Sequence, residues 1–563
     1  MWSKKTGTCC GAFSLIVAAL AIFVLLEFDD FYKDLLNKQV SITEGSTAFH
    51  MWKDVGSCYD MSVNMYFFNI TNAEAANRGR AKPRVRQMGP YAYRMVWVKD
   101  NITFNDNGTV SFLEKITFHF DAENSEGSED DLVTTVNVPY VATLHLLSNQ
   151  NVFLRALGNR LLSSLEQRPF LTRSVRELSF EGYPDVLMMM AAVVGKGHNA
   201  RGGKADVASV LRTGHRTLVD VMKSQPVGAA GRFAYMAGRN DTFHERLTMF
   251  TGEGNISRIN YLDSVDGKRR LNIWADELCD QVRGSFGNVR PPLSTSNSET
   301  VFIPDLKRTF DLHHVADSKV GSLKTRRFAV TRDLFDKKSP ENACYNAARN
   351  YLPSGVSDFG PLQDGVPIVL SLPHFLYGSS ALFTGVDGLH PEMEQHLFYI
   401  DSEPTTGASV SGRVRLQLNV LLKDVGYLMT SELGYTVMPL FWQEVVADAQ
   451  AHTLARIRLA VLAPILVRCT AIFLLVASAI LAIVAVVSLF RSRRRRRRDV
   501  SDPSRMLRDK LAIYLNGGSF LGTRDNNDLV KDGASLAAPA TLAAALVAPE
   551  VPEADALLKS TAV

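Results

Sequence analysis

Apolar and polar positions divide the chain into two long uncharged runs near its ends and a patterned middle. The first run, Gly11 to Phe28, carries a single charge, Glu27. It is about the length that a bilayer core requires of a helix. The second, Thr470 to Phe490, reads TAIFLLVASAILAIVAVVSLF and has no charge at all. Each predicts a transmembrane helix. Glu27, Asp29 and Asp30 stand where a small-x-small cleavage site would follow the first run, which makes it an uncleaved anchor rather than a signal peptide. Arg468 at mid-bilayer would cost roughly 2.5–3.5 kcal/mol, so the second span is expected to begin after it.

Between the runs, strand and helix patterns alternate. From Val410 to Leu421, Val414, Leu416, Leu418 and Val420 face one way and Arg413, Arg415, Gln417 and Asn419 the other. That period of two predicts a half-buried strand in an antiparallel sheet or barrel wall. Thr109 to Phe120 repeats the pattern with Glu114 as its exception, and Tyr91, Tyr93, Met95 and Trp97 alternate after Gly89-Pro90, which reads as a turn. Residues 140–195 read as helical, with Leu144, Leu147, Leu154, Leu157, Leu161 and Leu165 near helical spacing and a second apolar run from Asp185 to Val194. Gly195 to Lys204 is a glycine-rich, basic loop. No internal repeat stands out.

The formal charge is +4, much of it from the run Arg491 to Arg498, so a nucleic-acid-binding surface is not indicated. Basic clusters flank both spans on their outer sides: Lys4-Lys5 before the first, Arg493 to Arg498 after the second. The positive-inside rule then predicts two cytosolic termini and residues 29–468 on the other side of the membrane. The glycosylation triplets at Asn69, Asn101, Asn107, Asn240 and Asn255 all fall in that middle portion. Of six cysteines only Cys58, Cys279 and Cys344 are expected there, enough for one intramolecular bridge. The last 65 or so residues, rich in Ala, Pro, Asp and Gly, are expected to be a disordered cytoplasmic tail, with a short helix near Arg505 to Leu515.

Catalytic chemistry finds little support. Gly252-Glu-Gly254 lacks the third glycine of a nucleotide loop, and Lys204 follows glycines without the spacing of a phosphate-binding loop. His313, His314 and His374 have no metal-like partners near them in sequence, and His374 reads as a packed or hydrogen-bonded strand residue rather than a general base. No nucleophile elbow or carboxylate pair is visible.

A set of blocks in fixed order resembles the class B scavenger receptors, the family of fatty acid translocase and the lysosomal integral membrane protein. They are YFFNITN at 66–72, GPYAYR at 89–94, VRELSFEGY at 175–183, LNIWADELC at 271–279, GVPIVLSLPHFL at 365–376, EPTTG at 403–407, RLQLNV at 415–420 and MPLFWQE at 438–444. The resemblance implies an α+β fold: a large lumenal or extracellular irregular antiparallel β-barrel with an apical helical bundle, flanked by two transmembrane helices. The expected organisation is a cytoplasmic N-terminus at 1–10, a span at 11–28, the barrel domain at 29–468, a span at 470–490 and a cytoplasmic tail at 491–563. The chain departs from the family in lacking the cysteines of two of its three usual disulfides; the remaining pair implies a Cys279–Cys344 bridge. The tail is also longer than the family's.

The resemblance further implies a receptor and no enzyme, with no cofactor. Its partners would be lipids, fatty acids or lipoproteins, captured at the apex and passed to the membrane through an internal tunnel. Basic residues at the apex, here Arg155, Arg160 and Arg168, would serve ligand binding. An alternative is a lysosomal or endosomal receptor for a protein cargo such as a soluble hydrolase, with pH-sensitive histidines such as His145 as its mark. Glu553, Leu557 and Leu558 resemble an acidic dileucine signal read by a sorting adaptor, so both the lysosomal or endosomal membrane and the plasma membrane are expected sites. Cys9 and Cys10, beside the first span, resemble acylation sites.

Overall fold

The computed structural model describes residues 4–500 except 79, 149–151, 166, 190–230, 364 and 423–434, together with residues 504, 507 and 508. By contact density the chain forms two units, one of residues 10–482 and one of 1–9 with 483–563. The elements below belong to the first unit unless a range shows otherwise.

Helix α1 covers Lys4–Val40 and the C-terminal helix covers Ala451–Val500. Their 37 and 50 residues make them about 55 and 75 Å long. Each is long and apolar enough to cross a membrane, and each runs well past the span expected from sequence. Loss of apolarity ends a span but does not end a helix, and here the continuations pair. Tyr32 Oη donates to the Ala460 carbonyl at 2.8 Å, and Arg468 Nη2 to Asp29 Oδ1 at 2.6 Å.

Helix α2 (Thr47–Lys53) follows, capped by Ser46, whose hydroxyl accepts the Phe49 N–H at 3.0 Å. The sheet then begins with β1 (Tyr59–Ile70), the short helix α3 (Ala73–Asn77), β2 (Val85–Asn105) and β3 (Thr109–Phe120). Strands β4 (Leu132–Val136) and β5 (Phe170–Ser174) pair with each other and enclose helices α4 (Val138–Ser148) and α5 (Val152–Ser164). A second small pair is β6 (Tyr183–Pro184) with β7 (Arg232–Phe233). The main sheet continues through β8 (Thr242–Phe243), β9 (Leu247–Phe250), β10 (Leu262–Val265), β11 (Ser298–Ile303), β12 (Arg308–Val320) and β13 (Leu323–Ala329). It is completed by β14 (Val356–Asp358), β15 (Ile368–Ser371), β16 (Tyr399–Ser402), β17 (Ser409–Leu422) and β18 (Thr436–Ala449).

The order is β10-β9-β3-β2-β1-β18-β17-β16-β13-β12-β11, every pair antiparallel, with β8, β14 and β15 at its sides. The segment around Ser285 nearly closes it. Leu262 N–H donates to the Gly284 carbonyl on the β10 side, and Ser285 exchanges two backbone bonds with Thr300 and Phe302 on β11. Closure leaves few open edges and turns one face inward. That face carries a continuous core including Met65, Phe67, Tyr91, Tyr93, Phe310, Phe328, Phe398, Leu440 and Phe441. The fold is therefore an antiparallel barrel with helices and two terminal apolar helices.

Three local readings change. Gly89-Pro90 is not a turn: β2 runs through it, and the pairing of β1 with β2 shifts there, from Met65↔Tyr91 to Phe67↔Met88. On β17 the polar face is also buried, because β15 and the loops at 372–376 and 390–397 cover it. Gln417 and Asn419 are fully buried and Arg415 nearly so. Alternation reveals two faces but not what packs on the second. Finally, residues 140–195 are not helical throughout: β5 and a π-helical turn, Glu177–Glu181, lie within them. The loop Gly195–Lys204, the second half of the Asp185–Val194 run and most of the stretch Arg505–Leu515 lie outside the described residues.

Candidate ligand-binding surfaces

β1 measures the height of the barrel. Its first residue, Tyr59, pairs with Ala449, two positions before the C-terminal helix begins. Near its other end, Asn69 Oδ1 accepts the N–H of Thr134 on β4 at 2.8 Å. Ten residues of strand separate these points, about 33 Å, so β4, β5 and the helices between them sit at the end remote from the membrane helices.

There Asn137 starts α4: its Oδ1 accepts the Tyr140 N–H at 3.2 Å and its amide donates to Gln167 Oε1 at 3.1 Å. α4 is buried along nearly its whole length. α5 instead presents a stripe to solvent. Phe153, Ala156, Arg160 and Ser163 are exposed and fall at i, i+3, i+7 and i+10, with Val152 exposed beside them. Phe153 is 68% and Val152 72% exposed. Large apolar groups in water on one helix, two turns from an exposed guanidinium, form a surface suited to an amphiphile, tail on Phe153 and Val152 and headgroup on Arg160. Of the three arginines singled out from sequence, Arg160 lies on this stripe. Arg155 is half-buried, about 140° away around the helix, and Arg168 is exposed on the segment entering β5. Phe153 was missed because the sequence spacing of Leu154, Leu157 and Leu161, read as the apolar face, leaves it out of phase.

A second constellation lies in the barrel wall. Gln87 Oε1 accepts from His374 Nε2 and from Trp442 Nε1, both at 2.7 Å. His374 Nδ1 accepts the His390 N–H at 3.1 Å and His396 Nδ1 the Glu392 N–H at 2.8 Å. Each ring is thereby held neutral with its proton on Nε2. Burial, then the neighbouring imidazoles His396 and His390, lower His374 to about 3. Burial and the Arg415 guanidinium lower His396 to about 4. Arg415 pairs with Glu444 at 2.7 Å, and Glu444 also accepts from Asn64 at 2.9 Å. His374 is thus hydrogen-bonded and packed, but in a short turn with φ of 52°, not in a strand. These groups wall the core; they do not assemble a nucleophile and base. Among the described residues no cluster of three or more His, Cys, Asp or Glu could hold a metal.

Two cavities of about 530 Å³ open on the barrel. One is lined by Phe250, Arg258, Asp263, Arg269, Arg270 and Asn107, and there Arg269 pairs with Asp263 at 2.8 Å. The other lies beside the first turns of the C-terminal helix, among His50, Lys53, Trp97, Lys99, His452 and Arg456. Lys99, almost fully buried, resolves the Glu114 exception: the two are cross-strand neighbours, 3.8 Å apart. Its ammonium also lies 5.1 Å from the Trp52 ring centre and 5.3 Å from that of Trp97. Burial pushes the Lys99 ammonium down and the Glu114 carboxyl up, each opposed by the charge of the other.

A disulfide joins Cys279 to Cys344 across 65 residues, beside the Trp274 and Tyr345 rings. Cys58 is a free thiol, 2% exposed. Cys9 is exposed and Cys10 half-buried on α1. Asn101, Asn107, Asn240 and Asn255 are exposed, while Asn69 is half-buried on β1. His145 ends α4. Glu553, Leu557 and Leu558 lie outside the described residues.

Comparison with known proteins agrees with this architecture. The profile of the CD36 family matches residues 10–489. Scavenger receptor class B member 1 of Bos taurus is 30% identical over 456 residues, 80% of this chain and 83% of the relative. The Mus musculus protein of the same name is 31% identical, over 77% of this chain and 79% of its own length. Lysosome membrane protein 2 of Homo sapiens is 27% identical, over 80% and 89%. The family is one of receptors rather than enzymes, and the two apolar helices together with these membrane-protein relatives support a two-pass membrane protein. Matched almost from one terminal helix to the other, and built as a nearly closed barrel between them, the chain belongs to the CD36 family.

Proposed function

We propose that this class B scavenger receptor captures amphiphilic lipid, fatty acid or lipoprotein at the exposed stripe of α5 and passes lipid through the barrel to the bilayer. The observation that carries the reading is Phe153 and Val152 standing in water two turns along α5 from the exposed Arg160, at the end remote from the membrane helices. Passage down a gradient needs no nucleotide or cofactor, and an aromatic-rich barrel interior is a favourable medium for an acyl chain. Both termini are cytosolic in this reading, with the arginine run holding the inner leaflet.

The test uses the full-length protein in detergent, with a fluorescent fatty acid and a labelled lipoprotein as probes. A Phe153→Ser/Arg160→Glu variant changes only exposed side chains and should fold. Binding of one or both probes is expected to fall on the order of tenfold, the loss of an apolar anchor and a charge. Undiminished binding of both overturns the apical assignment.

A second reading, an endosomal or lysosomal membrane receptor for a soluble hydrolase, is favoured by the tail sequence Glu553 to Leu558 and by the likeness to Lysosome membrane protein 2. A Leu557→Ala/Leu558→Ala variant that moves from lysosomes to the cell surface supports it. Surface residence of both forms removes the tail motif from the argument.

A further inference from the structure

The cavity walled by Phe250, Arg258, Asp263, Arg270 and Gln281 also has Asn107, the head of a glycosylation triplet, in its wall. Its volume of about 530 Å³ falls within the roughly 300–1,000 Å³ of small-ligand sites. The turn between β2 and β3 that carries Asn107 is fixed to this wall. The Gly108 carbonyl accepts both the N–H and the hydroxyl of Thr251, each at 3.0 Å, and Thr251 follows Phe250 directly. The Thr251 carbonyl accepts the Ile42 N–H at 2.9 Å, just beyond α1, so the cavity lies at the foot of the barrel. Within the triplet, the Thr109 hydroxyl donates to Asn107 Oδ1 at 2.6 Å. Its oxygen is thereby held, while the amide nitrogen, the atom that carries a sugar, has no acceptor among the described residues.

The chemistry of the wall selects a neutral polyol over an anion. Arg269 is paired with Asp263 at 2.8 Å and Arg270 with Glu277 at 3.2 Å, so most of the positive charge is already balanced. Paired guanidiniums keep spare N–H donors and their carboxylates keep lone pairs, and a sugar's hydroxyls can use both at once. Arg258 lies over the Phe250 ring, its guanidinium carbon 3.4 Å from the ring centre, a flat platform for one face of a pyranose. Tethering supplies the affinity. Contacts too weak to hold a free sugar suffice when the sugar is linked to the wall itself, at an effective concentration on the order of millimolar.

We propose that this cavity is the seat of the protein's own glycan: the N-acetylglucosamine pair at the root of an N-linked chain on Asn107 folds back into it. One ring covers Arg258, and the hydroxyl and acetamido groups bond to Asp263, Arg270 and Gln281. The seated sugar ties the turn between β2 and β3 to β10 and to the segment around Gln281, bracing the foot of the barrel. The inference rests on residues 29–468 lying on the lumenal side, as the proposed function does.

The experiment uses the full-length protein from glycosylating cells. Peptide mass analysis first reads occupancy at Asn101 and Asn107. Release of each glycan from the native protein by peptide-N-glycosidase F is then timed, with exposed Asn101 as the internal reference. The test variant is Arg258→Ala/Arg270→Ala, which changes two exposed side chains. It should release the Asn107 glycan on the order of tenfold faster than wild type, with Asn101 unchanged. Equal release of the Asn107 glycan from both proteins overturns the seat. Faster release at both sites marks a loosened fold, and Gln281→Ala then decides by the same criterion. A bare Asn107 beside a glycosylated Asn101 overturns the seat alone, whereas a chain bare at every triplet overturns the lumenal placement with it.

Discussion

The imidazole of His396 stacks on that of His374, ring centres 4.5 Å apart and planes 26° from parallel, with the Trp442 indole edge-on to His396 at 5.5 Å. Two histidines this close cannot both carry a proton at low cost, and among the described residues neither has a carboxylate paired with it. Their Nδ1 atoms are occupied by backbone N–H donors, so protonation would break a hydrogen bond as well as bury a charge.

This arrangement makes stability fall on acidification. The unfolded chain, with ordinary histidines near 6.5, takes up protons that the folded chain refuses until about pH 4 for His396 and about 3 for His374. The stabilisation is intact above pH 6.5 and is lost as pH drops from there toward 4, by about 1.4 kcal/mol per pH unit per histidine. Thermal unfolding between pH 7 and 5 should show a falling midpoint. His374→Asn, which tolerates the left-handed backbone there, should flatten the slope. A slope identical to wild type would refute the assignment.

Gln417 should be costly to replace. Its Oε1 accepts the His374 N–H at 2.6 Å and its amide donates to Asn419 Oδ1 at 2.7 Å, with no solvent access. Gln417→Leu strands both groups, at about 1–3 kcal/mol each. Val315→Ala, on an exposed side chain of β12, should stay within about 0.5 kcal/mol. Denaturant unfolding of the two variants separates the cases, and equal midpoints would show that β17 is wetter than described.

Thiol labelling should distinguish the cysteines by burial. In the native protein a bulky maleimide is expected to leave Cys58 untouched, and denaturation under non-reducing conditions should expose it while Cys279 and Cys344 remain bridged. Cys279→Ser/Cys344→Ser should lose about 2–5 kcal/mol. Native labelling of Cys58 at the rate seen after denaturation would contradict its burial.

Glycan occupancy provides a test of sidedness. Enzymatic deglycosylation followed by peptide mass analysis should find glycans at Asn101, Asn107, Asn240 and Asn255, all exposed. Asn69 should be under-occupied, because it is half-buried in β1 and its oxygen already accepts from Thr134. A protein without glycans on any of these residues would place residues 29–468 on the wrong side of the membrane.

Much was legible along the chain because it depends on local period and composition. The two apolar runs announced the membrane helices, and alternation located Thr109–Phe120 to the residue and β17 within one residue at each end. The ordered motif blocks carried the family resemblance. What tertiary structure decided was which polar groups meet. Alternation in RLQLNV cannot say that Gln417 faces a turn 43 residues away rather than water, because both environments suit an amide. Glu114 looked like a flaw in a strand until β2 brought Lys99 opposite it. The exposed Phe153, the cage around Lys99 and the cavity beneath it depend on residues from separate elements, and their free energies arise from desolvation and pair geometry that exist only once the barrel closes.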